Sequence, residues 1–495
     1  MKTRTLPLAA ALLAFAFVTT AARAQTTATA NAPDTSSAGQ TASKPATFDD
    51  FIKDIKKPVD WFSWGGDIRV RNEYYNNIVT LNGAAPLNHQ DVVRYRERIW
   101  AFVTPLTDLS FNARLSAEPR LWIEPSFVSA YKGQSSMEWR YGMADNLNVK
   151  WNNLFDQPIS VTAGRQDIML GDYYDWWLVS DGTPGDGSWT FYLDSIRLTA
   201  EAKDIKTKFD LIYISQSAMP GEWLPTIGRS TNYPVTDQNE QGVVLYASNK
   251  SLENVQLDGY FIYKRDDRVT FTINGVQKTP GDNANIYTIG GKITGTPEEH
   301  LQYSVEGAYQ FGTKQDTIEG VFAQRDIDAY GAKAKLTYLF KDPMNNQVSL
   351  VGEFLSGDNP NTTGKDEMFD VLWGRWPRWS ELYIYSYIYE TGGRIAQMNN
   401  LGRVGPSWTC TPIKDTSLSL MYNALFAPEE TPSRAVAPVF TKTGNFRGHY
   451  LQAVLKHQFN KYLSAHLWSE FVWQGDYYDH EGALMFLRGE VMVSF

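Results

Sequence analysis

The sequence predicts an all-β fold, a transmembrane antiparallel β-barrel of about 18 strands of the kind found in the bacterial outer membrane. Three observations lead to this prediction. Residues 484–495 form a strand in which apolar and polar residues alternate and which ends in an aromatic residue. The same alternation recurs from residue 64 onward, and short connections alternate with long ones along the chain. Each of these features is typical of outer-membrane barrels.

The segment 484–495 reads LMFLRGEVMVSF. One parity is apolar and the other carries the charges of Arg488 and Glu490. Because a strand in lipid can leave no edge unpaired, such a strand predicts a closed barrel. The terminal Phe495 is the feature that we expect the barrel-insertion machinery to bind, and outer-membrane lipid and lipopolysaccharide are the expected surroundings.

The first 24 residues have the pattern of a secretory signal peptide. Lys2 and Arg4 precede an apolar run that is too short for a membrane anchor, and Ala22-Arg23-Ala24 is a cleavage site. We therefore expect a signal peptide at 1–24, a flexible leader and short periplasmic segment at 25–63, and the barrel at 64–495. Within the leader, the apolar residues of 48–55 have helical spacing, which predicts a short helix.

Period-two patterns predict the first three strands at 67–75, 93–103 and 109–116. Eight short and nine long connections follow from the remaining patterns, and together they imply eighteen strands. The connection at 313–326 is expected to be long. The longest, 357–397, contains a run at 382–389 that could be a further strand. A soluble propeller is disfavoured because no repeat of about 40–50 residues is found.

The polar parity of a barrel strand faces the lumen, and cations outnumber anions at these positions. The first three strands carry six inward arginines: Arg69, Arg71, Arg94, Arg96, Arg98 and Arg114. Stacked guanidinium groups attract anions and bind carboxylates with two hydrogen bonds, so the cluster predicts an anion path. The alternative is that these arginines form ion pairs with Asp67, Glu73 and Glu118. Arg197, Lys333 and Lys335 are further candidates for the path.

Several motifs resemble the alginate-export family of outer-membrane porins. They are Gly164-Arg165-Gln166, Gly171-Asp172, Trp176-Trp177, the strand 193–198, Tyr95-Arg96-Glu97-Arg98 and the segment 353–358. The resemblance spans most of residues 64–495 and is divergent. It implies a monomeric eighteen-stranded barrel that lets a polyuronate pass through a pore steered by arginines.

Arg165 is an exception among the arginines, because its parity with Val161 and Ala163 points it toward lipid. Either Gly164 lets the backbone turn the side chain inward, or Arg165 is a rim residue that binds Asp172. The resemblance favours the inward position and adds Arg165 to the candidate path.

The predicted function is passive passage of an anionic, alginate-like polysaccharide or oligosaccharide. The alternatives are a general or uptake porin for small anionic solutes and, third, a membrane-embedded hydrolase in which His457 would act. The Trp- and Arg-rich connection 357–397 could enter the barrel or cap it. The run 181–187 is read as a Gly/Pro turn rather than a calcium loop. We expect no catalytic residues, metal, cofactor or nucleic-acid partner.

Overall fold

The computed structural model describes residues 47–78, 80–85, 88–124, 137–139, 142–170, 191–222, 224–227, 235–273, 276–279, 281–318, 321–374, 379–390, 399–430, 439–480 and 482–495. The chain divides into two compact units, 1–55 and 56–495. The first helix, α1, comprises Phe48–Lys56. Its start is fixed by a reciprocal cap, in which the Asp50 amide donates to Thr47 Oγ1 (3.2 Å) and the Thr47 amide donates to Asp50 Oδ2 (2.9 Å). The predicted short helix is thereby confirmed.

Among the described residues, eighteen long strands form the wall of the second unit. They are β1 Phe62–Asn76, β2 His89–Leu106, β3 Leu109–Ala117, β4 Met143–Trp151, β5 Ile159–Gln166, β6 Leu193–Ala202, β7 Thr207–Gln216, β8 Gln238–Asn249, β9 Val255–Arg268, β10 Asn283–Glu298, β11 Leu301–Ile318, β12 Val321–Leu339, β13 Gln347–Leu355, β14 Leu401–Cys410, β15 Thr416–Phe426, β16 Phe446–Gln458, β17 Leu463–Gln474 and β18 Ala483–Ser494. Each strand pairs antiparallel with the next, and β18 pairs with β1. The predicted closed barrel and its strand number are confirmed.

Shorter elements extend or connect the wall strands. They are the strand segments Arg120–Glu124, Met137–Glu138, Phe271–Ile273, Val276–Lys278 and Lys365–Asp366 and the 3-10 turns Leu154–Asp156, Lys203–Ile205 and Pro220–Glu222. A second helix, α2, comprises Glu381–Glu390. None of the helices in the described part of the chain is long and apolar enough to cross a membrane.

One prediction about the connections is wrong, and one alternative that the sequence left open is not formed. The link expected at 313–326 is much shorter than predicted, because β11 and β12 remain paired as far as Ile318 and Val321. The run at 382–389, considered as a further strand, lies in α2. Its aromatic and β-branched residues favour a strand intrinsically, but α2 is surrounded by other side chains and tertiary packing decides its conformation.

The two faces of the wall follow the predicted alternation. On β1, Ile68 and Val70 are 51% and 40% exposed on the outer face, whereas Arg69 and Arg71 are buried on the inner face. Tyr263, Tyr287 and Phe311 stack on three neighbouring strands, with ring centroids 5.0 and 5.4 Å apart. Exposed apolar side chains therefore face lipid, and polar side chains face the lumen.

The connection between β13 and β14 comprises residues 356–400, and we call it the inner loop; its described residues, 356–374, 379–390 and 399–400, lie inside the barrel. In α2, the Tyr385 ring lies 4.8 Å from the ring of Tyr75 on β1, and Glu381 pairs with Arg488 on β18. Earlier in the loop, Asp358 pairs with Arg325 on β12. Because these partners are on well-separated strands, the loop crosses the lumen.

Candidate functional site in the lumen

The closure of the barrel brings the arginines of β1 and β2 beside those of β18. The register places Arg71 opposite Arg94 and Arg69 opposite Arg96. Like charges directly opposite one another repel, so this arrangement requires carboxylates on the neighbouring positions. Together with Arg98 and Arg488, these four residues form what we call the arginine cluster.

Glu73 on β1 is the central carboxylate of the arginine cluster. Its side chain is completely buried and pairs with Arg94 (3.1 Å), Arg488 (2.7 Å) and Arg71 (3.3 Å). The Tyr75 hydroxyl donates a further hydrogen bond to it. Three guanidinium groups therefore share one carboxylate.

Three other wall carboxylates complete the arginine cluster. Glu118 lies 3.5 Å from both Arg69 and Arg94. Glu490 on β18 accepts a 2.7 Å hydrogen bond from Arg71 Nε and lies 3.6 Å from Arg69. Asp67 pairs with Arg96 (3.3 Å) and accepts a 2.8 Å hydrogen bond from Arg98 Nε. The ion pairs with Asp67, Glu73 and Glu118 that the sequence left open as an alternative are present.

The wall acids do not balance the six arginines of the cluster. Within the part of the chain that the structure describes, four wall carboxylates pair with them, Asp67, Glu73, Glu118 and Glu490, and a fifth, Glu381, comes from the inner loop and lies 2.8 Å from Arg488. Arg69, Arg71, Arg94 and Arg96 are each at most 1% exposed, so in this arrangement they are covered.

Other residues of the predicted anion path have side chains that are more exposed to water. Arg98, Arg114 and Arg197 have side chains that are 12%, 15% and 20% exposed. Arg114 pairs with Asp145 and Asp167, both at 2.9 Å, and Arg197 pairs with Asp210 at 2.8 Å. Lys335 on β12 is half-buried. The more open part of the lumen therefore also carries guanidinium groups.

Arg165 is buried at the end of β5, and Gly164 explains how it leaves the outer face. Gly164 has φ +120°, and a Cβ there would lie 2.4 Å from the Leu147 carbonyl oxygen, so only glycine is tolerated. The Arg165 guanidinium donates to Asp194 at 2.9 and 3.2 Å and lies over the Tyr192 ring. Asp172, the alternative partner, and the run 181–187 lie outside the described residues.

Lys333 belongs to a second charged group, which we call the alternating row. Six consecutive strands, β9 to β14, carry opposite charges directly across from one another: Asp258, Lys292, Glu306, Lys333, Glu353 and Arg403. Arg403 donates to Glu353, and the Tyr260 hydroxyl donates to Glu306 at 2.9 Å. The row contains three cations and three anions and is neutral.

The anchors of α2 are lumen residues whose contacts with a helix the sequence did not predict. Glu470 on β17 accepts hydrogen bonds from the amides of Glu381 and Leu382 (2.8 and 2.9 Å) and from Ser380 Oγ (2.6 Å). A wall carboxylate thus caps the helix N-terminus. At the other end, Arg447 pairs with Glu390 at 2.5 and 2.7 Å. Parity alone places Glu470 inward, but no local signal joins it to a helix ninety residues away.

The comparisons with known proteins agree with this architecture. The family model described as alginate export matches residues 60–485. Among solved structures, OccAB1 of Acinetobacter baumannii is 11% identical over 87% of this chain and 96% of its own, with a TM-score of 0.53. OpdQ of Pseudomonas aeruginosa is 12% identical over 87% and 98%, with a TM-score of 0.51. Among curated proteins, none matches this chain.

The low identity to the two solved barrels supports the fold alone, whereas the family match covers most of the chain. The predicted resemblance and the predicted location are confirmed. The chain therefore belongs to the alginate export family and is a porin-type β-barrel channel of the bacterial outer membrane.

Proposed function

We propose that this chain lets an anionic polysaccharide or oligosaccharide of the alginate type pass the outer membrane passively, guided by lumen arginines. The observation that carries the proposal is the excess of guanidinium over carboxylate in the arginine cluster, six against four on the wall. A channel with a surplus of fixed positive charge concentrates anions and repels cations.

The lumen cations of the cluster are arginines, and this supports a transported polymer that carries carboxylate groups. Arginine offers a planar fork that binds carboxylate through two hydrogen bonds, as Arg447 and Arg325 each do with a carboxylate of this protein. A polyuronate presents one carboxylate on every sugar ring. Arg98, Arg114 and Arg197 would meet it first, because their side chains are partly exposed.

A porin for small anionic solutes is the second candidate, because the same charges would also admit simple anions. Block of the ionic current separates the two, since only a polymer that threads the lumen hinders the flow of small ions. The third candidate, a membrane-embedded hydrolase, has little support: the hydroxyl neighbour of His457 is Thr416, at 2.7 Å. Release of fatty acid from phospholipid by the purified protein would favour the hydrolase.

Reversal potentials in planar bilayers test the proposal directly. We expect the parent channel to prefer anions, oligouronate to block the current, and a neutral glucan of equal length to leave it unchanged. Replacing Arg98, Arg114 and Arg197 together with glutamine should lower the anion preference several-fold. Lys341→Gln, in the turn between β12 and β13, is the matched control. A parent channel that prefers cations would overturn the proposal.

A further inference from the structure

Five carboxylates of the inner loop each pair with a different wall cation. These pairs are Asp358 with Arg325 (2.7 and 2.9 Å), Asp366 with Lys314 (2.5 Å), Asp370 with Lys264 (3.7 Å), Glu381 with Arg488 (2.8 Å) and Glu390 with Arg447 (2.5 and 2.7 Å). Three of these cations, Lys264, Lys314 and Arg488, also contact carboxylates of the wall. The cationic side chains are at most 6% exposed. These are enclosed contacts, unlike the solvent-exposed ion pairs of a protein surface.

The five wall cations lie on two arcs of the barrel. Lys264, Lys314 and Arg325 are on β9, β11 and β12, and Lys314 is directly opposite Arg325 in the register. Arg447 and Arg488 are on β16 and β18. Loop residues 358–370 pair with the first arc and loop residues 381–390 pair with the second, so acidic residues of one connection meet both sets of cations.

The inner loop thus has the chemistry of the proposed cargo: a chain with carboxylates at intervals, laid across a set of lumen cations. We propose that Lys264, Lys314, Arg325, Arg447 and Arg488 form a binding track for the anionic polymer, and that the inner loop occupies this track as an internal competitor until the polymer displaces it. The inference rests on the proposed function and adds to it the residues that bind the polymer and the segment that must move.

Two physical considerations support an exchange of this kind. A carboxylate of the polymer can replace a carboxylate of the loop and keep the negative charge beside each buried cation, whereas a neutral sugar supplies no charge in its place. After the first contact, the remaining carboxylates of the same polymer bind at high effective concentration. Departure of Glu381 would also remove the fifth carboxylate of the arginine cluster and raise its positive excess.

The consequence can be measured at Ser386, which lies on α2 and is completely buried. Ser386→Cys is nearly isosteric and would be introduced together with Cys410→Ser, which removes the native thiol. The purified channel in liposomes is treated with a water-soluble maleimide. We expect oligouronate to raise the labelling rate at least several-fold and a neutral glucan of equal length to leave it unchanged. In a separate sample of the parent channel, which carries neither substitution, the native Cys410, buried in the wall, serves as the reference thiol and should stay unlabelled.

A variant separates the track from the loop. Lys314→Gln with Arg325→Gln should raise labelling without any ligand and abolish the response to oligouronate, whereas Lys292→Gln in the alternating row should change neither. Slow labelling of Ser386→Cys in saturating oligouronate would overturn the inference. Because anion preference in bilayers is measured independently, that result would leave the proposed function intact, and cation preference in the parent channel would overturn both.

Discussion

The arginine cluster and the alternating row are two different arrangements of charged side chains on the inner wall of one barrel. In the row, each charge faces an opposite charge on the next strand, and the sum is zero. In the cluster, arginines face arginines and share carboxylates, so the wall keeps a positive excess. The charges of the row compensate one another within the wall. The arginine cluster has fewer carboxylates than arginines on the wall and takes a further carboxylate, Glu381, from the inner loop.

The largest difference in stability between the two regions is expected when one carboxylate is removed from each. Glu73→Gln leaves Arg71, Arg94 and Arg488 facing one another in a buried site and should lower the free energy of unfolding by about 3–5 kcal/mol. Glu353→Gln should cost less, because Lys333 retains Glu306 as its other neighbour. Urea unfolding in detergent, followed by tryptophan fluorescence, measures both variants. Equal losses would show that the two regions do not differ in this respect.

A smaller effect, on the docking of α2 against the wall, is expected from Glu470→Gln. The amide group cannot accept all the hydrogen bonds that α2 donates to the carboxylate, which should cost about 1–3 kcal/mol of helix docking. Labelling of Ser386→Cys should accelerate without ligand. Glu306→Gln in the alternating row is the control and should leave labelling slow, because Glu306 contacts Tyr260 on the wall. Fast labelling in the control would mean that the row also holds the loop.

Salt should distinguish exposed from buried charge. Raising the salt concentration from about 0.1 M to about 1 M shortens the screening length from about 10 Å to about 3 Å, so the anion preference should fall. The urea midpoint should change little, because the cluster is enclosed and its pairs are weakly screened. Reversal potentials and urea unfolding at the two concentrations test this. A large fall of the midpoint at high salt would indicate that water reaches the cluster.

The smallest effect is expected outside the wall, in the exposed pair of Lys341 and Glu299 (2.6 Å). The ammonium group lowers the pKa of Glu299, so any stabilisation is present at neutral pH and is lost as the pH falls through the lowered value. Lys341→Gln should leave the urea midpoint unchanged at pH 7 within error. A clear decrease would show that exposed pairs also contribute to the stability of this barrel.

The wall could be predicted from the sequence because its rule is local. Alternation alone distinguishes Ile68 and Val70 from Arg69 and Arg71, and short links fix neighbouring strands. The charge balance of the cluster cannot be predicted from alternation and short links alone. Glu490 and Arg488 lie over four hundred residues from β1 and become its neighbours only when the barrel closes.

The lumen contents could not be predicted in the same way. The residues of α2 favour a strand by composition, and their helix depends on contacts with Glu470, Arg447 and Arg488 from strands later in the chain. Arg165 breaks the alternation because Gly164 has φ +120°; the sequence offered this as one of two explanations, and alternation alone could not choose between them. The predicted roles of the ten candidate path residues remain predictions that the bilayer experiments test.

The cap that Glu470 provides has a consequence for the order of assembly. A helix of ten residues is marginal by itself in water, and α2 precedes in the chain every strand that anchors its two ends. Its N-terminal amides have their carboxylate partner only once β17 is in place, and Glu381 has its arginine only once β18 has joined. The start of α2 is therefore anchored only after most of the wall strands have formed, and a chain halted before the last two strands would lack both of these N-terminal anchors.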